Sequence, residues 1–373
     1  MKPKNPFLIA GYHSPEYFCD RERETLLMID AIKNGRNLTL IAPRRMGKTG
    51  LIKNVFYHLE RKQPKAAVFY MDVFFTQNLN EFVQLFASTV LEKTDLVTQK
   101  ATKRIGDFFR SLRPVFTIDE FSGMPKVTIN VEPASEERSL KEIFSYLQSS
   151  GKHCYIAIDE FQQLAEYPEK GVEALLRSHI QFFSNVHFIF SGSKYHVMQE
   201  MFLSAKRPFY QSTQIISIDA IDQMDYYRFA ARFFGSKNEL HADVFFRIYS
   251  DFEGHTWYIQ AILNRLYGQK HKPDDASINA IIADIILETT YTFEKLLAAY
   301  PPNAIKLLKA IAKEKCVKEI NSGNFIAKYK LKTASSVNTA LKKLINKELV
   351  YKTPNGYIVY DRFMEIWLRQ QTY

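Results

Sequence analysis

The run Leu38-Thr39-Leu40-Ile41-Ala42-Pro43-Arg44-Arg45-Met46-Gly47-Lys48-Thr49-Gly50-Leu51-Ile52 constrains this chain more than any other. It reads as an apolar strand, a short glycine-bearing loop and an apolar helix start, the context in which a phosphate-binding loop is credible. Such a turn aims successive backbone N–H groups, and the helix N-terminus behind them, at a polyphosphate. The expected binding residues are Ala42, Pro43, Arg44, Arg45, Met46, Gly47, Lys48, Thr49 and Gly50. Lys48 is expected to reach the β- and γ-phosphates and Thr49 to place its hydroxyl on Mg²⁺. Gly47 would allow close backbone approach, and Arg44 or Arg45 would contact phosphate, meet a partner subunit or lie in solvent. Ala42 stands where such loops usually open on a glycine, and its methyl restricts both φ and approach.

A loop of this kind needs a carboxylate on a neighbouring strand. The chain offers the same tetrapeptide twice, Ile118-Asp119-Glu120-Phe121 and Ile158-Asp159-Glu160-Phe161. The second follows Cys154-Tyr155-Ile156-Ala157-Ile158, an uninterrupted buried-strand run, whereas the first follows Pro114 and continues through a Gly and a Pro. Asp159 is therefore expected to act on the metal, and Glu160 to orient and deprotonate the attacking water. A helix-terminal carboxylate is the plainer reading of Glu160. Further along, Phe190-Ser191-Gly192-Ser193 ends another strand, so Ser191 or Ser193 would sense the γ-phosphate or start a turn. Arg207 lies on a loop beyond it, where it would serve as an arginine finger.

The 373 residues exceed what one hydrophobic core usually serves, so two or three domains are expected. Residues 1–218 alternate strands with helix-period segments, which predicts an α/β core with a parallel sheet. The strands are read at Leu38–Ala42, Ala67–Phe74, Cys154–Asp159, His187–Gly192 and Gln214–Ile218. Alternating Val127, Ile129 and Val131 after Ser122-Gly123-Met124-Pro125 predict a β-hairpin insertion near 115–131. Residues 219–300, dense in aromatics (Tyr226, Tyr227, Phe229, Phe233, Phe234) and without strand pattern, read as a helical subdomain. After Pro301-Pro302, residues 303–373 show three helices and two strands around Pro354-Asn355-Gly356, whose Asn and Gly tolerate positive φ. That pattern is a winged helix-turn-helix.

Hydrophobic residues at 46% fit an ordinary globular chain. Cys19, Cys154 and Cys316 form no CxxC pair, which argues against zinc or a disulfide framework and for a reducing cytoplasm. The apolar stretch Phe7–Ala10 is too short for a signal peptide and no run suits a membrane span, so no membrane partner is expected. Net charge is +10, and residues 303–373 hold 14 Lys+Arg against 5 Asp+Glu, leaving 36 against 35 elsewhere. With Ser335, Ser336, Asn338, Thr339, Lys342 and Lys343 between the apolar residues of the third helix, that excess suits DNA. A solvated face, or one packed on the lid or a protein partner, is the plainer reading.

Together these residues resemble the archaeal-type ATPase family, a branch of the AAA+ and STAND-like P-loop ATPases. The matching features are Phe18-Cys19-Asp20-Arg21-Glu22, Pro-Arg-Arg-Met-Gly-Lys-Thr, Ile-Asp-Glu-Phe, Phe-Ser-Gly-Ser, Gly254-His255, Asp361-Arg362-Phe363 and Trp367-Leu368-Arg369. The resemblance implies a five-stranded, mostly parallel P-loop NTPase core of ASCE type, a helical lid and a C-terminal winged helix. It also implies a nucleotide-driven switch; the leading reading is a Mg²⁺-dependent ATPase, with a protein partner or a homo-oligomer among its expected partners. Gln211 and Ser212 replace the Gly-Arg that relatives carry, so a finger role falls to Arg207 or to nothing. Three functions stay open: an ATPase switch, an ATP-gated nucleic-acid-binding regulator, and a nucleotide-binding scaffold without turnover. The chain has no Asn-Lys-x-Asp run after the fourth strand, which favours adenine over guanine.

Overall fold

A computed structural model describes residues 2–93, 111–118, 125–132, 134–269 and 271–371, with backbone alone at 113–118 and 125–128. Its first elements are α1 (Glu22–Lys33), β1 (Leu38–Ile41), α2 (Lys48–Lys62), β2 (Ala66–Asp72), α3 (Leu79–Lys93), β3 (Leu112–Ile118) and β4 (Pro125–Val131). Next come α4 (Glu136–Ser149), β5 (His153–Asp159), α5 (Val172–Ile180), β6 (Val186–Gly192), α6 (Tyr195–Leu203), β7 (Gln214–Ser217) and α7 (Gln223–Ala231). The chain ends with α8 (Ala242–Asp251), α9 (Thr256–Tyr267), α10 (Asp275–Ala298), α11 (Pro302–Glu314), α12 (Gly323–Lys328), α13 (Ala334–Asn346), β8 (Val350–Thr353), β9 (Gly356–Val359) and α14 (Arg362–Gln370). Two compact units result: residues up to Phe229 with His255–Trp257, and Ala230–Gly254 with Tyr258–Tyr373.

In the first unit, five strands pair in the order β2-β5-β6-β1-β7, all parallel. β6 thus separates β1, which leads into the loop, from β5, which ends at Asp159. Near-continuous apolar sequence is explained by burial on both faces: every residue of β1 and of β6 is buried. On one face Met28, Ile32, Leu51 and Val55 of α1 and α2 pack against Leu38, Leu40 and Tyr155. On the other, Phe161, Phe190, Phe202 and Phe209 gather edge to face or tilted, with ring centroids 4.6–5.7 Å apart. Each such ring contributes roughly 1.5–3 kcal/mol by leaving water.

The hairpin forms as the alternation requires, with Leu112 opposite Val131 and Ile118 opposite Pro125, and its first strand begins earlier than residue 115. Its turn, and with it Asp119-Glu120, lies outside the described residues. β2 stops at Asp72 rather than Phe74, because the Asp72 carboxylate takes the Phe74 N–H at 2.9 Å and turns the chain. The aromatics of the helical region divide: Tyr226 and Phe229 are buried on α7, while Phe233 and Phe234 follow its end.

In the second unit Pro302 sits at the first position of α11, where its missing N–H costs nothing. Side-chain caps start four helices there: Asp274 for α10, Ser322 for α12, Thr333 for α13 and Asp361 for α14. The wing closes through Pro354 and Asn355, with Thr353 opposite Gly356. Contrary to expectation, Asn355 does not adopt positive φ; only Gly356 does, at +142°. Its need for glycine is also steric, since a Cβ would stand 2.5 Å from the Val317 carbonyl oxygen. Sequence reading did not separate α14, which buries Phe363, Met364, Trp367 and Leu368. Arg362 at its start bonds Glu365 at 2.7 Å and also holds Glu253. Among the described residues no helix is long and apolar enough to cross a membrane.

Candidate nucleotide site

The loop between β1 and α2 lies at the C-terminal edge of the sheet, where strands end and helices begin. Two of its residues are left-handed, Arg45 at φ +68° and Gly47 at φ +87°. Conformation is what Gly47 supplies, since a Cβ there would meet nothing within 4 Å. Ala42 is not left-handed, and its methyl is buried among Leu40, Met46 and Leu51, so this position does not demand glycine. Gly50 has a steric reason: a Cβ would fall 2.9 Å from Cε2 of Phe18, whose ring packs on the first turn of α2.

Lys48 is buried, and its Nζ donates to the carbonyls of Ala42 at 2.8 Å and Pro43 at 3.0 Å. Burial pushes its pKa down to about 8, against the pull of Glu160 and Asp159, and Arg44 adds to the lowering. The exposed Thr49 hydroxyl donates to Oδ2 of the buried Asp159 at 2.7 Å. Asp159 owes its position to β5, whose last residue it is, and its Oδ1 accepts the Glu160 N–H at 3.1 Å.

Glu160 turns out of the sheet in the left-handed region, at φ +56°, and makes no side-chain cap to the short 3-10 turn Phe161–Glu166 that follows. Its Oε2 instead accepts from the Ser193 hydroxyl at 2.7 Å and from the Gln162 amide. Arg44 completes the chain by donating from Nε to the Ser193 hydroxyl at 3.0 Å. Of the two serines at the end of β6, Ser193 therefore meets Glu160. Ser191 is fully buried opposite Leu40, and its hydroxyl has no hydrogen-bond partner among the described residues. Gly192 between them admits nothing larger, because a Cβ would come within 2.5 Å of Met198 Sδ and closer still to Gln162 Oε1.

Arg207 is not brought to this group. Its guanidinium pairs with Glu173 of α5 at 2.9 Å and, more loosely, with Glu200 of α6 at 3.8 Å. Arg45 lies 4.2 Å from the ring centroid of Trp257, and its carbonyl accepts the Trp257 N–H at 3.1 Å.

Two members escaped the sequence reading. Tyr70 on β2 donates its hydroxyl to the same Asp159 oxygen that Thr49 uses, at 2.7 Å, and burial, with the Asp159 charge and this bond, raises its pKa. Strand register would have pointed to it, since β2 pairs with β5 and Asp72 stands opposite Asp159. Trp257, more than 200 residues beyond the loop it covers, left no local signal.

Hard oxygen donors side by side, one hydroxyl and one carboxylate, fit Mg²⁺, which takes few protein ligands and keeps waters and phosphate oxygens. No cluster of three or more His, Cys, Asp or Glu gathers among the described residues, so a cage built wholly from such side chains is not the alternative.

The family model described as an ATPase domain predominantly from Archaea matches residues 18–262, and one described as "Probable winged helix domain" matches 291–370. No curated protein matches the sequence. Among solved structures, a Walker-type ATPase of Pyrococcus abyssi superposes with a TM-score of 0.66 at 16% identity, over 98% of this chain and 99% of that one. The Aeropyrum pernix ORC1 protein, solved in complex with DNA, gives 0.57 at 13% identity over 98% and 96%. The ORC2 protein of the same organism, in its ADP form, gives 0.56 at 15% over 96% and 94%. At these identities the likeness is one of fold.

Proposed function

Because this chain belongs to the family of ATPase domains found predominantly in Archaea, with a winged helix after it, we propose that it binds ATP with Mg²⁺ at Ala42–Gly50, hydrolyses it, and uses the cycle as a conformational switch. The observation that carries the reading is the convergence of Lys48, Thr49, Asp159 and Glu160 at the ends of two strands separated by a third. Backbone N–H groups of the loop cradle the phosphates, and Lys48 leaves the Ala42 and Pro43 carbonyls for the β- and γ-oxygens. Thr49 and Asp159 would hold Mg²⁺, which neutralises developing charge on the phosphates when bound. Glu160, presented by its left-handed backbone, orients the attacking water and takes its proton. Arg44 and Ser193 hold Glu160 in place until substrate arrives, and Ser191 serves as the buried polar group behind it. Arg207 is assigned to the finger role only on release from Glu173. In this scheme 219–300 acts as the lid and 303–373 as the reader.

Replacing Asp159 by Asn tests the metal assignment. The amide keeps an oxygen for the Thr49 and Tyr70 hydroxyls but loses the charge, so apparent Mg²⁺ affinity in ATP turnover is expected to fall roughly 10- to 100-fold. An unchanged Mg²⁺ titration would remove Asp159 from the metal's shell.

A second reading gives the winged helix to DNA. Ser335, Asn338, Thr339, Lys342 and Lys343 are all exposed on α13 while Val337, Leu341 and Leu344 are buried, so the polar, basic face is the presented one. Duplex affinity measured at 50 and 200 mM salt should drop steeply, by about tenfold or more if several phosphates are neutralised. No binding at either salt would leave this helix to a protein partner.

A further inference from the structure

At the other end of the parallel sheet, where strands begin, the first unit opens a pocket of ≈ 540 Å³. β5 runs from His153 at this end to Asp159 at the nucleotide end, roughly 20 Å at ~3.3 Å per residue. The pocket is thus separate from the loop described above. Its volume lies within the range of small-molecule sites, about 300–1,000 Å³.

One wall is apolar: Ile32, Pro64 and Ala66 stand beside the ring of Tyr155, which stacks on His187 at 6.0 Å and 27°. The charged side chains of the lining are both cationic. Lys33 and Lys65 line the rim without an ion-pair partner among the described residues, and no carboxylate lines the pocket. Near the ends of the adjoining helices, Ile32 O accepts the Gly35 N–H at 3.0 Å and Leu59 O the Gln63 N–H at 2.8 Å. The Gln63 amide oxygen accepts the Tyr155 hydroxyl at 2.8 Å, which leaves its nitrogen to donate.

His187 is the telling residue. It is only 6% exposed, lines the pocket, and its ring nitrogens have no hydrogen-bond partner among the described residues. Without a protein partner, the ring nitrogens keep contact with the pocket's solvent, where an acceptor on a ligand can take the place of water. Burial, with the nearby His153, holds its pKa below the usual histidine range, so the ring is neutral and carries one N–H donor at neutral pH.

We propose that this pocket binds a small organic oxyanion on an apolar body, the charge met by Lys33, Lys65 and the His187 N–H and the body lying against Tyr155, Ile32 and Pro64. Apolar lining alone would take a neutral ligand, and lysines alone would take any anion; the two together select the amphiphilic one.

The test uses the full chain with ¹⁵N-labelled histidine, reading the His187 ring signals, which are assigned by their loss in His187→Phe. Phenyl phosphate is the probe, with inorganic phosphate and benzyl alcohol supplying charge and apolar body separately. Phenyl phosphate should shift the His187 signal saturably and raise its titration midpoint by about one pH unit or more, as an anion within ~4–6 Å does. The two controls should leave it in place. In the Lys33→Ala/Lys65→Ala double variant, whose residues are exposed, half-saturation should need at least about tenfold more probe. Absence of a saturable shift, an equal response to inorganic phosphate or benzyl alcohol, or unchanged half-saturation in the lysine variant would each overturn the proposal. Should His187→Phe fail to fold, the lysine variant and the two controls still decide the matter.

Discussion

The Glu160→Gln protein should bind ATP as the wild type does and turn it over about 10²- to 10⁴-fold more slowly, the range expected when a general base is removed. Retained binding follows from the contacts. The substituted amide keeps an oxygen to accept from the Ser193 hydroxyl and the Gln162 amide, the two groups that fix this side chain. Lys48 keeps Asp159 as one of its two stabilising carboxylates. What disappears is the one feature an amide lacks, the capacity to take a proton from water. If Glu160 served only to favour the following turn, the change would cost a few tenths of a kcal/mol of stability and leave turnover intact. The absence of a side-chain cap there speaks for the chemical role. The check is a pair of measurements on one preparation, ATP affinity by equilibrium titration and steady-state phosphate release.

Lys48→Ala should fail earlier in the cycle. A charged hydrogen-bond donor contributes about 1.5–3 kcal/mol, which is roughly 10- to 150-fold in Kd for ATP. Its electrostatic share in the transition state should add about another 10²- to 10³-fold in turnover. The pH dependence carries the same assignment. With its pKa near 8, Lys48 is charged below that pH and progressively neutral above it. ATP binding above pH 8 must therefore draw in a proton, and wild-type affinity should weaken by up to about tenfold per pH unit there. The Lys48→Ala protein should lack that slope. Folding responds with the opposite sign, because between about 8 and the ordinary 10.5 the unfolded chain holds this proton more tightly. The Lys48 contribution to stability thus rises with pH across that window.

Much of this site was legible because its parts are local. A strand, a glycine-bearing turn and a helix start occupy fifteen consecutive residues, and Ile158-Asp159 is marked by the apolar run that precedes it. Choosing Asp159 over its duplicate at Asp119 rested on burial, and β5 is buried from Cys154 to its end. The wing was legible for the same reason, although Gly356 is needed for the nearby Val317 carbonyl as much as for the turn. What could not be read depends on register or on long-range packing. Tyr70 reaches Asp159 only because β2 pairs with β5. Ser193 rather than Ser191 meets Glu160 because β6 ends at Gly192, which leaves Ser191 buried inside the strand and Ser193 beyond it. The partners that bind Arg207, Glu173 and Glu200, come from separate helices whose arrangement no local pattern discloses.

Single-turnover hydrolysis tests the central claim most directly, with ATP labelled in its γ-phosphate, protein in excess and Mg²⁺ present. The wild type should convert its bound ATP to ADP and phosphate in one phase, and Lys48→Ala should do so at least about 10²- to 10³-fold more slowly. Equal rates for the two proteins would contradict the assignment of ATP hydrolysis to this loop.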